Sequence, residues 1–434
     1  MLRGYPLSRG AAGVASISGW SLARVFVPRF ESRARLRQFV LQAFVVALVG
    51  ATIGLERTVV PLLATEEFGI SQTAVVMSFV LSFGIVKALV NLGGGILSER
   101  VGRKPLLVIG WLFALPVPFL LLFAHSWWLV IAANLFLGVN QGLTWSMTIN
   151  SKLDLAGAER RGLALGVNEF AGYGGVALSA LLTSLLAERF GLRPAPFLFG
   201  IGIVAIGFLT SLLVTQETVQ YTIPKNTEKA PPAEPFWHVF RWASWGDPRA
   251  FAICQAGLAE KFVDTAVWLL FPLYFVAQGL SVGAVGLLVF AYGITWGLGQ
   301  LLSGPLSDYW GRRWFIVVGM FLCAVAMGIV PLLGVRFALV GAVLAGVGMA
   351  GLYPTLPAAL ADITPRRIQA SGHGVYRFWR DLGYAAAALT LGLIADAAGF
   401  AAAFYFVAIL MAGSTALVIF LLPRRTIVGP LLQR

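Results

Sequence analysis

The string Gly95-Ile-Leu-Ser-Glu99-Arg-Val-Gly102-Arg103-Lys104 returns later in the chain as Gly304-Pro-Leu-Ser-Asp308-Tyr-Trp-Gly311-Arg312-Arg313. The offset is 209 residues, and it persists to Gly110 and Gly319. Working outward, Asn91 matches Gln300 at the same offset. Gly166-Val-Asn-Glu169-Phe170 matches Gly374-Val-Tyr-Arg377-Phe378 at an offset of 208. Self-similarity on this scale marks two copies of one structural unit.

The surroundings of each string are strongly apolar. Hydrophobic residues make up 58% of the 434 positions and charged residues 12%. A soluble domain has about twice that charge fraction. A bilayer core needs about 20 mostly apolar residues per helix, and twelve such runs can be read. They are 39–63, 73–97, 106–124, 128–150, 163–188, 196–215, 251–277, 283–306, 314–333, 337–361, 372–397 and 401–423. Backbone polar groups cannot stay unpaired in lipid, so each run is expected to be a helix. The fold class expected is all-α integral membrane: two pseudo-symmetric six-helix bundles. Both strings then join the second helix of a half to its third.

The basic residues agree with this division. Of the 32 Lys and Arg, only Arg189, Arg193 and Arg336 fall in the loops opposite the termini, and five lie within helices. The rest sit in the tails and the loops on the terminal side. That bias implies an even number of spans with both termini in the cytoplasm, most simply in a bacterial inner membrane. A net charge of +13 therefore reports topology and contact with lipid headgroups rather than nucleic-acid binding.

The expected division is a basic cytoplasmic tail over 1–37, a bundle over 38–215, a cytoplasmic linker over 216–249, a bundle over 250–423 and a tail over 424–434. The first tail carries seven Arg around the mildly apolar stretch Gly10–Leu22, too short to span. A gene start nearer Val25 is the alternative. Phe236–Trp245 in the linker suits the membrane interface.

The paired G-x-L-S-[DE]-x-x-G-R-[KR] strings resemble motif A of the major facilitator superfamily, and the resemblance covers residues 39–423. It implies that Gly95, Glu99, Gly102, Arg103, Lys104, Gly304, Asp308, Gly311, Arg312 and Arg313 form gating latches. Each acid would meet a helix N-terminus or an Arg across the bundle in one state and release it in the other. Glu99 stands where the family usually has Asp. The fourth helix reads Asn134-Leu-Phe-Leu-Gly138, without the Arg the family often carries there. The fifth reads Ala171-Gly172-Tyr173-Gly174-Gly175, without the proline of drug antiporters. Asn168–Tyr173 and Tyr376–Asp381 resemble a bacterial subgroup of mostly unassigned substrate.

An ionisable group at membrane depth costs at least about 2.5 kcal/mol, so it should face a partner or a wet cavity. The bases Arg57, Lys87, Lys261, Arg377 and Arg380 and the acids Glu56, Glu169, Glu260, Asp264 and Asp381 qualify. With Asn91, Gln141, Trp145, Tyr173, Trp296 and Gln300 they form polar and aromatic faces at three- and four-residue spacing. They are the candidate substrate and coupling residues. The bases suit an anionic or zwitterionic group. Glu56, Glu169 and Asp264 are candidates for taking up a proton, and Glu169 is expected to face Arg377.

The function expected is secondary active transport of a small polar or charged solute by alternating access, coupled to protons. The alternatives are an iron or other metal-ion transporter of the same fold, and a transporter-like receptor or assembly factor without flux. No nucleophile–base set points to an enzyme, and no Walker A string points to ATP. Cys254 and Cys323 lie in separate apolar runs and suggest neither a disulfide nor a metal site. No cofactor is implied, and a monomer is expected.

Overall fold

The computed structural model describes residues 32–156, 161–221, 234–365 and 368–422. Most of the expected tails, Pro231-Pro232, the surroundings of Gly95 and the side chain of Glu99 fall outside what is described. The described residues are helical and contain no strand.

Six helices make the first half. They are α1 (Arg33–Gly54, continued by Val59–Glu66), α2 (Thr73–Val76 and Ser78–Val101), α3 (Arg103–Ala114 and Pro116–Leu122), α4 (Trp127–Ala156), α5 (Arg161–Phe190) and α6 (Ala195–Leu213). A short linker helix, Phe236–Arg241, runs into a π-turn at Trp242–Gly246. The second half holds α7 (Pro248–Thr265, a π-turn at Ala266–Leu270, then Phe271–Ala277), α8 (Val282–Trp310), α9 (Arg312–Leu333) and α10 (Ala338–Leu352 and Thr355–Ile363). The last helical stretch, Gln369–Leu421, breaks at Gly399, where φ is 85° and ψ 168°. It is divided there into α11 and α12. Among the described residues, nine stretches are long and apolar enough to cross a membrane, one of them the undivided Ser371–Leu421. α4 and α7 are not among the nine, and both carry buried polar residues.

Prolines set the breaks. A proline lacks an N–H and its ring crowds the carbonyl four residues earlier. Pro61 accounts in this way for the interruption of α1 over 55–58, and Pro354 for that of α10. Such interruptions are where polar side chains enter a membrane bundle. Glu56 and Arg57 sit in the first break, Tyr353 in the second, and Asp264 just before the π-turn of α7.

The packing repeats with the sequence. α1 packs on α5 and α7 on α11; α2 on α4 and α8 on α10. The halves meet through α5 against α8 and α2 against α11. α1 and α5 come together backbone to backbone: a Cβ on Gly175 would lie 2.0 Å from the Ala47 carbonyl oxygen. Outward positions such as Leu213, Leu332, Ile409 and Phe420 stay exposed, which suits hydrocarbon rather than water.

The two ends of the molecule differ. At the end away from the repeated strings the halves are joined. The backbone N–H groups of Thr73 and Ala74 on α2 donate to Asp396 on α11 at 2.6 and 2.9 Å. Gly283 on α8 presses on Glu188 of α5. At the string end, a Cβ built on Gly93 or Gly374 would meet nothing within 4 Å.

Candidate functional site

Between the halves lies a narrow cavity lined by Ile53, Arg57, Lys87, Trp145, Tyr173, Tyr353, Arg377, Arg380 and Tyr384. Six of these were expected from sequence. Ile53, Tyr353 and Tyr384 were not among the candidates. The Pro354 break was the signal for Tyr353.

Arg57 reaches across the halves to Asp264 with two hydrogen bonds, at 2.6 and 3.0 Å. Asp264 also accepts the hydroxyls of Tyr292 at 3.1 Å and Tyr384 at 2.6 Å. Four donors hold it as an acceptor. Lys261 is not among the donors to Asp264. It lies instead 3.4 Å from Glu260, within a cage of Trp296, Tyr353 and Tyr384. Trp296 in turn stacks on Tyr173 at 3.7 Å between centroids.

On α11, Arg380 rather than Arg377 pairs with Asp381, at 3.0 Å. Asp381 also accepts from Asn91, and Lys87 approaches it at 4.0 Å. Arg377 donates to neutral groups, Asn91 Oδ1 at 2.8 Å and Ser146 Oγ at 2.9 Å. The expected pairing with Glu169 is not formed. One oxygen of Glu169 accepts from Trp145 at 3.0 Å and Asn168 at 2.9 Å, while the other has no partner.

Other candidates stand back from the cavity lining. Gln141 donates to the Val49 carbonyl and Thr52, tying α4 to α1. Glu56 and Gln300 are buried with no hydrogen-bond partner for their side-chain oxygens. Sequence reasoning missed Lys152, placed just past the expected end of the fourth run. α4 continues to Ala156, and Lys152 is fully buried, donating at 2.8 Å to Asn168 and to the Gln42 carbonyl.

The repeated strings have matching structures. Gly102 and Gly311 both take positive φ, 102° and 88°. Arg103 donates to Ser98 at 2.7 Å and Asp154 at 3.2 Å. Arg312 donates to the equivalent Ser307 at 2.9 Å and Asp362 at 2.8 Å. Asp154 and Asp362 escaped the sequence reading because neither belongs to the string. Asp308 pairs with Arg312 of its own loop rather than across the halves. Arg313 donates to the Ile419 carbonyl on α12. Glu217, at the exit of α6, accepts the backbone N–H groups of Arg103 and Lys104 at 3.1 Å. Burial works to raise this carboxyl. The N–H groups of Val219, Arg103, Lys104 and Thr218 outweigh that and hold it below its ordinary value.

Two repeated helical bundles around a buried, charged central cavity define a multi-pass membrane protein of the transporter class. The family model described as Major Facilitator Superfamily matches residues 39–259 and 250–431. The chain belongs to that superfamily. It is 23% identical over 365 residues to the uncharacterized MFS-type transporter STM4428 of Salmonella typhimurium, covering 80% of this chain and 87% of the relative. It is 25% identical over 245 residues to the uncharacterized MFS-type transporter YfkF of Bacillus subtilis, covering 54% and 58%. Among solved structures it resembles the human organic anion transporter MFSD10 (TM-score 0.65, 17% identity, 89% of this chain and 99% of the other). It also resembles a POT family transporter in complex with a thioalcohol-conjugated peptide (TM-score 0.72, 15% identity, 90% and 97%).

Proposed function

We propose that this transporter carries a small organic anion by alternating access, with proton movement through Glu169. The observation behind the reading is the cavity lining. Arg57, Lys87, Arg377 and Arg380 face the space, and no carboxylate is among its lining residues. Arg57 and Arg380 are already engaged by Asp264 and Asp381. Among the described residues Arg377 is bonded only to Asn91 and Ser146, which an acidic group can displace. Trp145, Tyr173, Tyr353 and Tyr384 offer apolar faces to the rest of the solute. A lining without carboxylates offers a hard metal ion no anionic ligand, so the metal-ion alternative loses ground.

Glu169 is the coupling candidate because one of its oxygens is buried without a partner, and because Trp145 links it to the cavity. With both termini in the cytoplasm, the end that carries the repeated strings faces inward. Asp308 held on Arg312 within its own loop fits a parted latch. The setting we infer is a bacterial inner membrane.

The test is uptake into proteoliposomes with an internal pH dye. The panel would hold aromatic and aliphatic carboxylates, phosphate esters and ferrous iron, with Glu169→Gln beside the wild type. Solute-triggered proton movement that Glu169→Gln abolishes supports both parts. Anion uptake without proton movement removes the coupling and leaves the substrate class. Uptake of iron but no anion overturns the substrate class.

A further inference from the structure

The linker segment Phe236–Gly246 carries aromatic side chains that the transport reading does not use. Trp237 and Trp245 are 73% and 61% exposed. Such exposure of indoles is unfavourable in water but suits the headgroup boundary, where the ring is half solvated and the N–H finds a partner. Only Asp247 separates this segment from the first residue of α7, Pro248. The Asp247 side chain caps α7, accepting from the N–H groups of Arg249 and Ala250. The segment therefore sits at the edge of a membrane helix, with exposed Arg241 beside the indoles.

The exposed rings are continuous with α11. Trp237 and Trp245 both contact Phe240, at 5.6 and 5.8 Å between centroids. Phe240 contacts Phe378 at 5.9 Å and Trp379 at 6.0 Å. The Trp379 indole N–H donates to Ser244 Oγ at 2.8 Å. Phe378 and Trp379 lie between Arg377 and Arg380, the two arginines that α11 presents to the cavity.

We propose that Phe236–Gly246 is an interfacial foot seated in the headgroup boundary of the bilayer, and that through Phe240 and the Ser244–Trp379 hydrogen bond it holds the cytoplasm-proximal part of α11 in place. The membrane surface then acts on the helix that carries Arg377 and Arg380. This inference does not depend on which solute is carried.

The test uses the full chain in phosphatidylethanolamine–phosphatidylglycerol vesicles and needs no substrate. Cys254 and Cys323 are buried, so Trp237→Cys and Trp245→Cys can be spin-labelled selectively. Labels that collide with oxygen in preference to an aqueous nickel chelate support seating in the boundary. Labels as open to the chelate as to oxygen overturn it. Coupling is read by amide hydrogen exchange over residues 371–380. The double variant Trp237→Ser/Trp245→Ser should speed exchange there by about threefold, and Ser244→Ala by a similar factor. Combining all three should add little to the double variant, because a foot no longer seated in the membrane has nothing to transmit through either contact. Additive effects, or no effect at 371–380, overturn the coupling. Trp379→Phe keeps the ring and removes the donor. It should reproduce Ser244→Ala, which guards against reading general unfolding as loss of coupling.

Discussion

Arg57, in the break of α1, and Asp264, beside the π-turn of α7, face each other in a two-pronged ion pair at 2.6 and 3.0 Å, both fully buried. Each half of the repeat contributes one partner, and each partner stands where a helix departs from regular geometry. Removing one leaves an uncompensated charge. Arg57→Ala or Asp264→Ala should therefore destabilise the protein by about 3–5 kcal/mol, whereas Arg57→Met/Asp264→Leu should recover most of that loss. Thermal unfolding in detergent checks both. A double variant as unstable as either single one would contradict this account.

Arg377 should be the most informative single substitution in the cavity. Arg377→Gln keeps the hydrogen bonds to Asn91 and Ser146 within reach but removes the charge. Affinity for an anionic solute should fall by at least about tenfold, the scale of one charge-assisted hydrogen bond. Arg377→Lys should restore part of it. Titrating intrinsic tryptophan fluorescence would show the effect, since Trp145 lines the same space.

Gly102 and Gly311 separate two costs. Both need positive φ, which an alanine tolerates poorly at about 1–3 kcal/mol. At Gly102 a Cβ would also lie 2.6 Å from a Glu217 carboxylate oxygen, whereas at Gly311 it meets nothing within 4 Å. Gly102→Ala should lower the melting temperature more than Gly311→Ala. Equal shifts would show that Glu217 moves aside freely.

Glu217 gives a pH signature on one side of the membrane. Its carboxyl is held below the ordinary value of 4.5, so its contribution is present above that value and is lost as pH falls through the lowered one. Acidification below 4.5 should loosen the turn between α2 and α3, read as faster hydrogen exchange at residues 102–105. Glu217→Gln should show faster exchange already at neutral pH and little further change on acidification.

The two halves, the position of the repeated strings and the concentration of charge on inner helices were legible in the sequence, because hydropathy and repeat spacing are one-dimensional signals. Partner choice was not. Arg377 and Arg380 are three residues apart, and nothing along the chain tells that Arg380 takes Asp381 while Arg377 takes Asn91 and Ser146. Lys152 was assigned to a loop because the apolar run ends near Asn150, yet α4 continues for another turn and a half and buries it. Asp396 looked like a residue at the end of a run. Its role depends on α2 beginning directly against it, which only packing decides. The second of the two breaks in the lining helices could have been read from Pro354, and with it Tyr353.

The closed end has an electrical consequence. Arg57 and Asp264 neutralise each other beneath Trp268, whose ring lies 4.9 Å from the Arg57 guanidinium carbon, while Asp396 ties α11 to the start of α2. A buried, charge-neutral plug of that kind offers stray ions no favourable resting place. A cell could therefore hold many idle copies in its membrane without discharging its membrane potential.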